Sequence, residues 1–177
     1  ELSEVLGHTT RGYATLEAMQ STFPGTTKFG MAALLPGKEL AVTEKMEVTV
    51  DGHQTSSTVQ RGEILSIENP KSVAVTYNEL LQMKKVERRS LVQGMEVIYI
   101  YHNTIDAIGD KLTTESKVFE ACDTAIDELN AIVKIIVNDL SGASIIITAD
   151  HGFLYTYHPL EESQKISRQT FQGDIYD

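Results

Sequence analysis

The clearest pattern along the chain is Val97-Ile98-Tyr99-Ile100-Tyr101, an apolar run flanked by polar residues. Such a run suits a strand buried on both faces of a parallel sheet. A long amphipathic helix is predicted next, over about Thr114 to Asn138. There Val118, Cys122, Ala125, Leu129, Ile132 and Ile136 recur at three- and four-residue steps, with Glu120, Asp123, Asp127 and Lys134 on the other face. Gly142 is its stop signal, and Ala143 to Ala149, centred on Ile145-Ile146-Ile147, reads as a second buried strand. Strand, helix, strand in this order is a right-handed crossover unit and points to an open α/β sheet.

The first half is less regular. Leu2 to Leu6 reads as the last turn of a helix stopped by Gly7, which suggests a chain cut from something larger. Gly12 to Phe23 reads as extended and closes at the turn pair Pro24-Gly25. Thr26 or Thr27 caps a short helix, Phe29 to Leu35, ended by Pro36-Gly37. Glu47 to Val50 alternates and runs into Asp51-Gly52, a strong hairpin signal that predicts a projecting β-ribbon. Val59 to Ile67 reads as a helix, Val73 to Val75 as a short strand, and Tyr77 to Arg88 as an amphipathic helix. The tail from His158 is polar with little periodicity.

Composition narrows the function classes. The 177 residues suit a single domain, and 41% hydrophobic with 23% charged residues is ordinary for a globular one. The net charge of −10 excludes a duplex binder that works by blanket phosphate neutralisation. It leaves open an enzyme that holds a phosphate on metal ions. Apolar stretches are short or broken, as by Lys134, so no membrane span is expected. The opening residues carry no signal-peptide pattern. The one cysteine, Cys122, has no internal partner for a disulfide, which fits a cytoplasmic protein.

In open α/β sheets ligands bind beyond the carboxyl ends of the strands. His102-Asn103-Thr104-Ile105-Asp106-Ala107-Ile108-Gly109-Asp110 follows one apolar run, and Thr148-Ala149-Asp150-His151-Gly152 ends the other. Carboxylate and neutral imidazole are ligands for zinc, and for manganese where oxygen dominates. Two such clusters suggest two ions that clamp the attacking and leaving oxygens of a phosphoryl transfer. Either cluster alone also reads as ordinary loop acids and turn glycines. His102 reads equally as a hydrogen-bonded rim residue or as a ligand. A threonine opening the helix after Pro24-Gly25 sits near free backbone N–H groups, where a phosphate is favoured, although both threonines also read as plain caps.

Pro24 to Pro36, Tyr99 to Asp110 and Thr148 to Tyr155, in that order, resemble the PglZ domain, a branch of the alkaline phosphatase superfamily. The Val50-Asp51-Gly52 and Arg61 region is also similar. The resemblance implies a three-layer α/β core with a mostly parallel sheet. It implies a metal-dependent phosphohydrolase or phosphodiesterase in which Thr27 is the nucleophile, with Thr26 as the alternative. Asp150 and His151 would hold one divalent ion with that threonine, and Asp106 and Asp110 the other. Zinc is the first expectation and manganese the second. Most superfamily members have histidine where this chain has Asp110, and more oxygen favours manganese. The superfamily also supplies an aspartate ahead of the nucleophile and a late histidine. No carboxylate before Thr27 ends an apolar strand, and His158 comes too soon. Residues 1–177 are therefore expected to be the core of a longer protein, short of one ligand at each end. The likeness further implies a bacterial phage-defence system of the BREX kind, with other defence proteins as partners and a phosphate ester, nucleic acid included, as substrate. The alternative is a phosphatase-like scaffold that binds protein partners through the ribbon and the acidic surface. Lys84-Lys85 and Arg88-Arg89 are the basic segments on offer to nucleic acid, and they read equally as a solvated helix face.

Overall fold

A computed structural model describes residues 1–10, 13–109 and 117–152. Within them the chain is mixed α/β. The elements are α1 (Leu2–Thr10), α2 (Thr27–Ala33), β1 (Leu40–Val42), β2 (Val48–Val50), β3 (His53–Gln54), α3 (Thr58–Glu68), β4 (Ser72–Thr76), α4 (Tyr77–Gln82), α5 (Lys85–Val92), β5 (Val97–Tyr101), α6 (Thr104–Gly109) and α7 (Val118–Asp139).

Local chemistry sets several boundaries. The Asp51-Gly52 hairpin forms as expected, with both residues at positive φ (49° and 82°), as a two-residue turn with the strands' twist requires. The Asp51 carboxylate also accepts the backbone N–H groups of Lys38 and Glu39, which pins the preceding loop to the turn. Ser57 and Gln60 form a reciprocal capping box at the start of α3, and Thr76 and Glu79 do the same for α4. The single helix expected over Tyr77 to Arg88 is two. The backbone is extended at Met83 and Lys84, where the Glu87 carboxylate takes the Lys84 N–H at 2.6 Å and starts a new helix. Arg88 then donates from Nε to the Leu80 carbonyl at 2.8 Å, satisfying an oxygen that the break leaves free. Gly7 lies inside α1 and does not end it. The left-handed residue after α7 is Ser141 (φ 57°), while the Gly142 N–H bonds back to the Ile136 carbonyl at 3.0 Å.

The described strands form two small sheets instead of one mostly parallel sheet. β1, β2 and β3 are antiparallel, and β4 pairs in parallel with β5, Ser72 opposite Val97 through Thr76 opposite Tyr101. The crossover that joins the parallel pair is α4 with α5, one unit earlier than expected. Ala143 to Ala149 pairs with no strand among the described residues, and Ile146 is 87% exposed. A buried strand needs a neighbour on each side, and the described residues offer this run none. The extended segment before Phe23 is likewise unpaired, and the two meet where the Thr148 hydroxyl lies 3.7 Å from Met19 Sδ. Within the ribbon β2 is buried at all three residues and packs against α2, while the Asp51-Gly52 turn and β3 are exposed.

One apolar cluster joins the two sheets. Phe29, Ala32 and Leu35 pack with Val48 and Val50, with Ile64 and Leu65, and with Ala74 and Tyr99. The Tyr99 hydroxyl donates to the Leu34 carbonyl at 3.0 Å and ties the end of α2 to β5. α7 packs on α6 and α1 through a face that includes Val118, Ala121, Ala125, Ile132 and Val133. Leu80 of α4 is 0% exposed. Leu80→Ala is expected to cost about 2–5 kcal/mol, the range for emptying a buried leucine site, as a lowered urea midpoint.

Candidate functional site

The site forms where the start of α2 meets the segment after Ala149. Thr27 is the first residue of α2, and its Oγ1 lies 3.2 Å from Nε2 of His151. The other ring nitrogen, Nδ1, is 3.0 Å from the Gly152 carbonyl oxygen. A carbonyl only accepts, so Nδ1 is the donor to Gly152, and in the neutral ring Nε2 is then the nitrogen left to accept from the Thr27 hydroxyl. Thr27 is exposed, so its oxygen is open to a ligand. Thr26 occupies the N-cap position, but its hydroxyl makes no cap bond and is buried without a partner among the described residues.

Gly30 holds the two halves together. A Cβ at this position would lie 2.6 Å from the Asp150 carbonyl carbon and 2.9 Å from Asp150 Cβ. Only a glycine lets the Asp150 backbone come this close to α2. Sequence reasoning gave Gly30 no role; the available signal was a glycine inside an otherwise good short helix.

Three carboxylate and imidazole groups converge beside Thr27. Ligand atoms of Asp106, Asp150 and His151 all lie within 4.8 Å of one another. Asp150 Oδ2 is 3.7 Å from His151 Nε2, and the two side chains are 12% and 17% exposed. Asp106 thus lies within reach of the Asp150–His151 group. Asp110 lies outside the described residues. The donor set fits a divalent ion. Asp150 Oδ2 is buried with no hydrogen-bond partner among the described residues, which leaves it placed to meet a cation.

His102 is a rim residue. Its Nε2 is 2.7 Å from Glu128 Oε2, and the Tyr77 ring stands edge-on to it at 5.2 Å. Burial, and then the Glu128 charge, raise the Tyr77 hydroxyl above its ordinary pKa. Neighbouring Arg61 is buried, donates to the Thr55 carbonyl at 2.9 Å, and lies 4.3 Å from the Tyr101 ring centre. Three of the four residues in the basic segments are engaged within the fold. Lys85 and Arg88 meet the Asp139 carboxylate at 2.6 and 3.2 Å, and Arg89 donates to the Asp139 carbonyl, where cations suit the end of α7. Among the described residues no helix is long and apolar enough to cross a membrane.

Comparison with known families places this mixed α/β chain in the alkaline-phosphatase-like class. The chain belongs to the PglZ family, since residues 1–176 match the BREX system PglZ alkaline phosphatase-like domain. It is 38% identical over 175 residues to the alkaline phosphatase-like protein PglZ of Bacillus cereus (strain H3081.97), covering 99% of this chain. It is 41% identical over 171 residues to the alkaline phosphatase-like protein BrxZ of Escherichia coli O9:H4 (strain HS), covering 96%. The chain spans 20% of the length of each of these relatives. No solved structure matches it.

Proposed function

We propose that this chain supplies the nucleophile and ion-binding residues of a metal-dependent phosphohydrolase, acting foremost on a phosphodiester in a bacterial BREX-type defence assembly in the cytoplasm. The observation that carries the reading is the Thr27 hydroxyl 3.2 Å from a histidine that shares one cluster with two carboxylates. In this reading Asp106, Asp150 and His151 hold one divalent ion, zinc first and manganese second, and Asp110 serves a second ion. Bound ions would lower the pKa of the hydroxyl and offset charge on the phosphoryl oxygens. The Thr27 oxygen attacks phosphorus. The new P–O bond forms as the ester bond to the leaving alcohol breaks, and that alcohol departs with the proton that Thr27 gives up. Water then cleaves the threonine ester and releases the phosphate monoester. Without an ion, the Nε2 lone pair of His151 is engaged by the Thr27 hydroxyl, so the ion and the hydroxyl compete for it.

In this reading the remaining ligands and partners belong to other parts of a longer protein, which the chain's 20% share of its relatives supports. The three-layer core is completed there too, where the exposed Ala143 to Ala149 run finds strand neighbours. The test uses the intact protein with bis(p-nitrophenyl) phosphate and Zn²⁺ or Mn²⁺, with ion binding followed by calorimetry. Asp150→Asn is expected to weaken Mn²⁺ binding by at least the roughly 10–100-fold that loss of a mere outer partner costs. Unchanged binding and turnover in this variant would refute the ion-ligand assignment. Intact partner capture by a protein with no turnover under any ion would favour the scaffold reading, which the exposed side chains of Tyr13, Leu16 and Ile146 also suit.

A further inference from the structure

His102, Thr104 and Glu128 form a closed triangle of side chains beside the ion-ligand cluster. His102 Nε2 is 2.7 Å from Glu128 Oε2, the Thr104 hydroxyl donates to the same oxygen at 2.6 Å, and Thr104 Oγ1 is 3.3 Å from His102 Nε2. A carboxylate accepts both bonds, so Nε2 of His102 is a donor here. The triangle is largely withdrawn from water, with His102 13% and Glu128 26% exposed.

Its members come from three elements. His102 follows the last residue of β5, Thr104 opens α6, and Glu128 lies in the middle of α7. α6 is six residues long, and an isolated helix that short does not hold its shape in water. Its geometry must come from what it is tied to. Gly109 packs its far end against α7, where an added Cβ would meet Val118 Cγ2 at 3.4 Å. The near end is held by the triangle. Asp106 lies between these two anchors, two residues beyond Thr104.

We infer that Glu128 is a positioning residue for ion binding. By clasping Thr104 and His102 it fixes the start of α6, so that the Asp106 carboxylate meets Asp150 and His151. The inference rests on the reading of Asp106 as an ion ligand. Side chains that orient ligands are commonly worth one to two orders of magnitude in metal affinity.

The experiment uses the intact protein. Mn²⁺ binding is measured by calorimetry, and amide hydrogen exchange across residues 104–109 is measured without any ion. Glu128→Ala and Thr104→Val are each expected to weaken Mn²⁺ binding by about 10–100-fold and to speed exchange in α6. Thr104→Ser, which keeps the hydroxyl, is expected to restore both. If wild-type protein binds Mn²⁺ and both Glu128→Ala and Thr104→Val bind it equally well, the positioning role is overturned while the ion site stands. If Thr104→Ser is as weak as Thr104→Val, the hydroxyl bond is not the cause and the role is likewise overturned. If wild-type protein binds no Mn²⁺ or Zn²⁺, the ion-site reading itself falls and takes this one with it. The ion-free exchange measurement still discriminates if Glu128→Ala folds poorly, because Thr104→Val removes one hydroxyl at nearly constant volume.

Discussion

Thr27→Ala is expected to lower phosphodiester turnover by the intact protein by at least about a thousandfold, or about 4 kcal/mol of barrier, as removal of a covalent nucleophile does. The Thr27 residue is exposed and its hydroxyl lies 3.2 Å from His151 Nε2, so Thr27→Ala removes an alcohol in contact with the ligand cluster. Thr27→Ser keeps the oxygen and is expected to retain measurable turnover. Thr26→Ala is the control. The Thr26 hydroxyl is buried, makes no cap bond and has no partner among the described residues, so its loss breaks no hydrogen bond among them. Turnover within a few-fold of wild type is expected there. Steady-state rates for the four proteins decide the matter. Full activity in Thr27→Ala sinks the nucleophile assignment. An inactive Thr26→Ala beside an active Thr27→Ala transfers the role to the neighbouring residue.

How far the sequence could be read followed from the range of the interactions. The Asp51-Gly52 hairpin, the Val97–Tyr101 strand and most of α7 are set by residues within a few positions of one another, and pattern alone found them. The break at Met83 and Lys84 escaped because the apolar spacing runs straight through it. The capping contact from Glu87 and the reach of Arg88 back to Leu80 decide it. Ala143 to Ala149 has the composition of a buried strand, yet composition cannot supply the pairing partner on which strand structure depends. The candidate site divides in the same way. Asp106, Asp150 and His151 stood out as chemistry at the ends of apolar runs, whereas the pairing of Thr27 with His151 spans 124 positions and was legible only through the family resemblance. Glu128 is one acid among several on a helix, and nothing local distinguishes it from Asp123 or Asp127. Its meaning lies in its contacts with His102 and Thr104.

Gly30→Ala is expected to separate stability from function in an informative way. In a helix interior alanine is intrinsically better than glycine by about 0.5–1 kcal/mol, and Gly30 is not at positive φ, so the backbone itself raises no objection. The objection is steric. The new methyl would sit 2.6 Å from the Asp150 carbonyl carbon, and that neighbour is backbone, which cannot swing aside as the end of a long side chain can. Overpacking of this kind costs about 1–3 kcal/mol, so the clash outweighs the propensity gain and the urea midpoint should fall modestly. The functional loss should be larger than that fall suggests. Relief comes by moving Asp150 and His151 away from α2, and a displacement of about 1 Å at a reacting group costs on the order of a hundredfold in rate. Calorimetry with Mn²⁺ should show weakened binding at temperatures where circular dichroism still reports a folded protein. Wild-type ion affinity and turnover in Gly30→Ala would mean that the Asp150 segment does not rest on α2, and the link between Thr27 and the carboxylate–imidazole group would lose its structural basis.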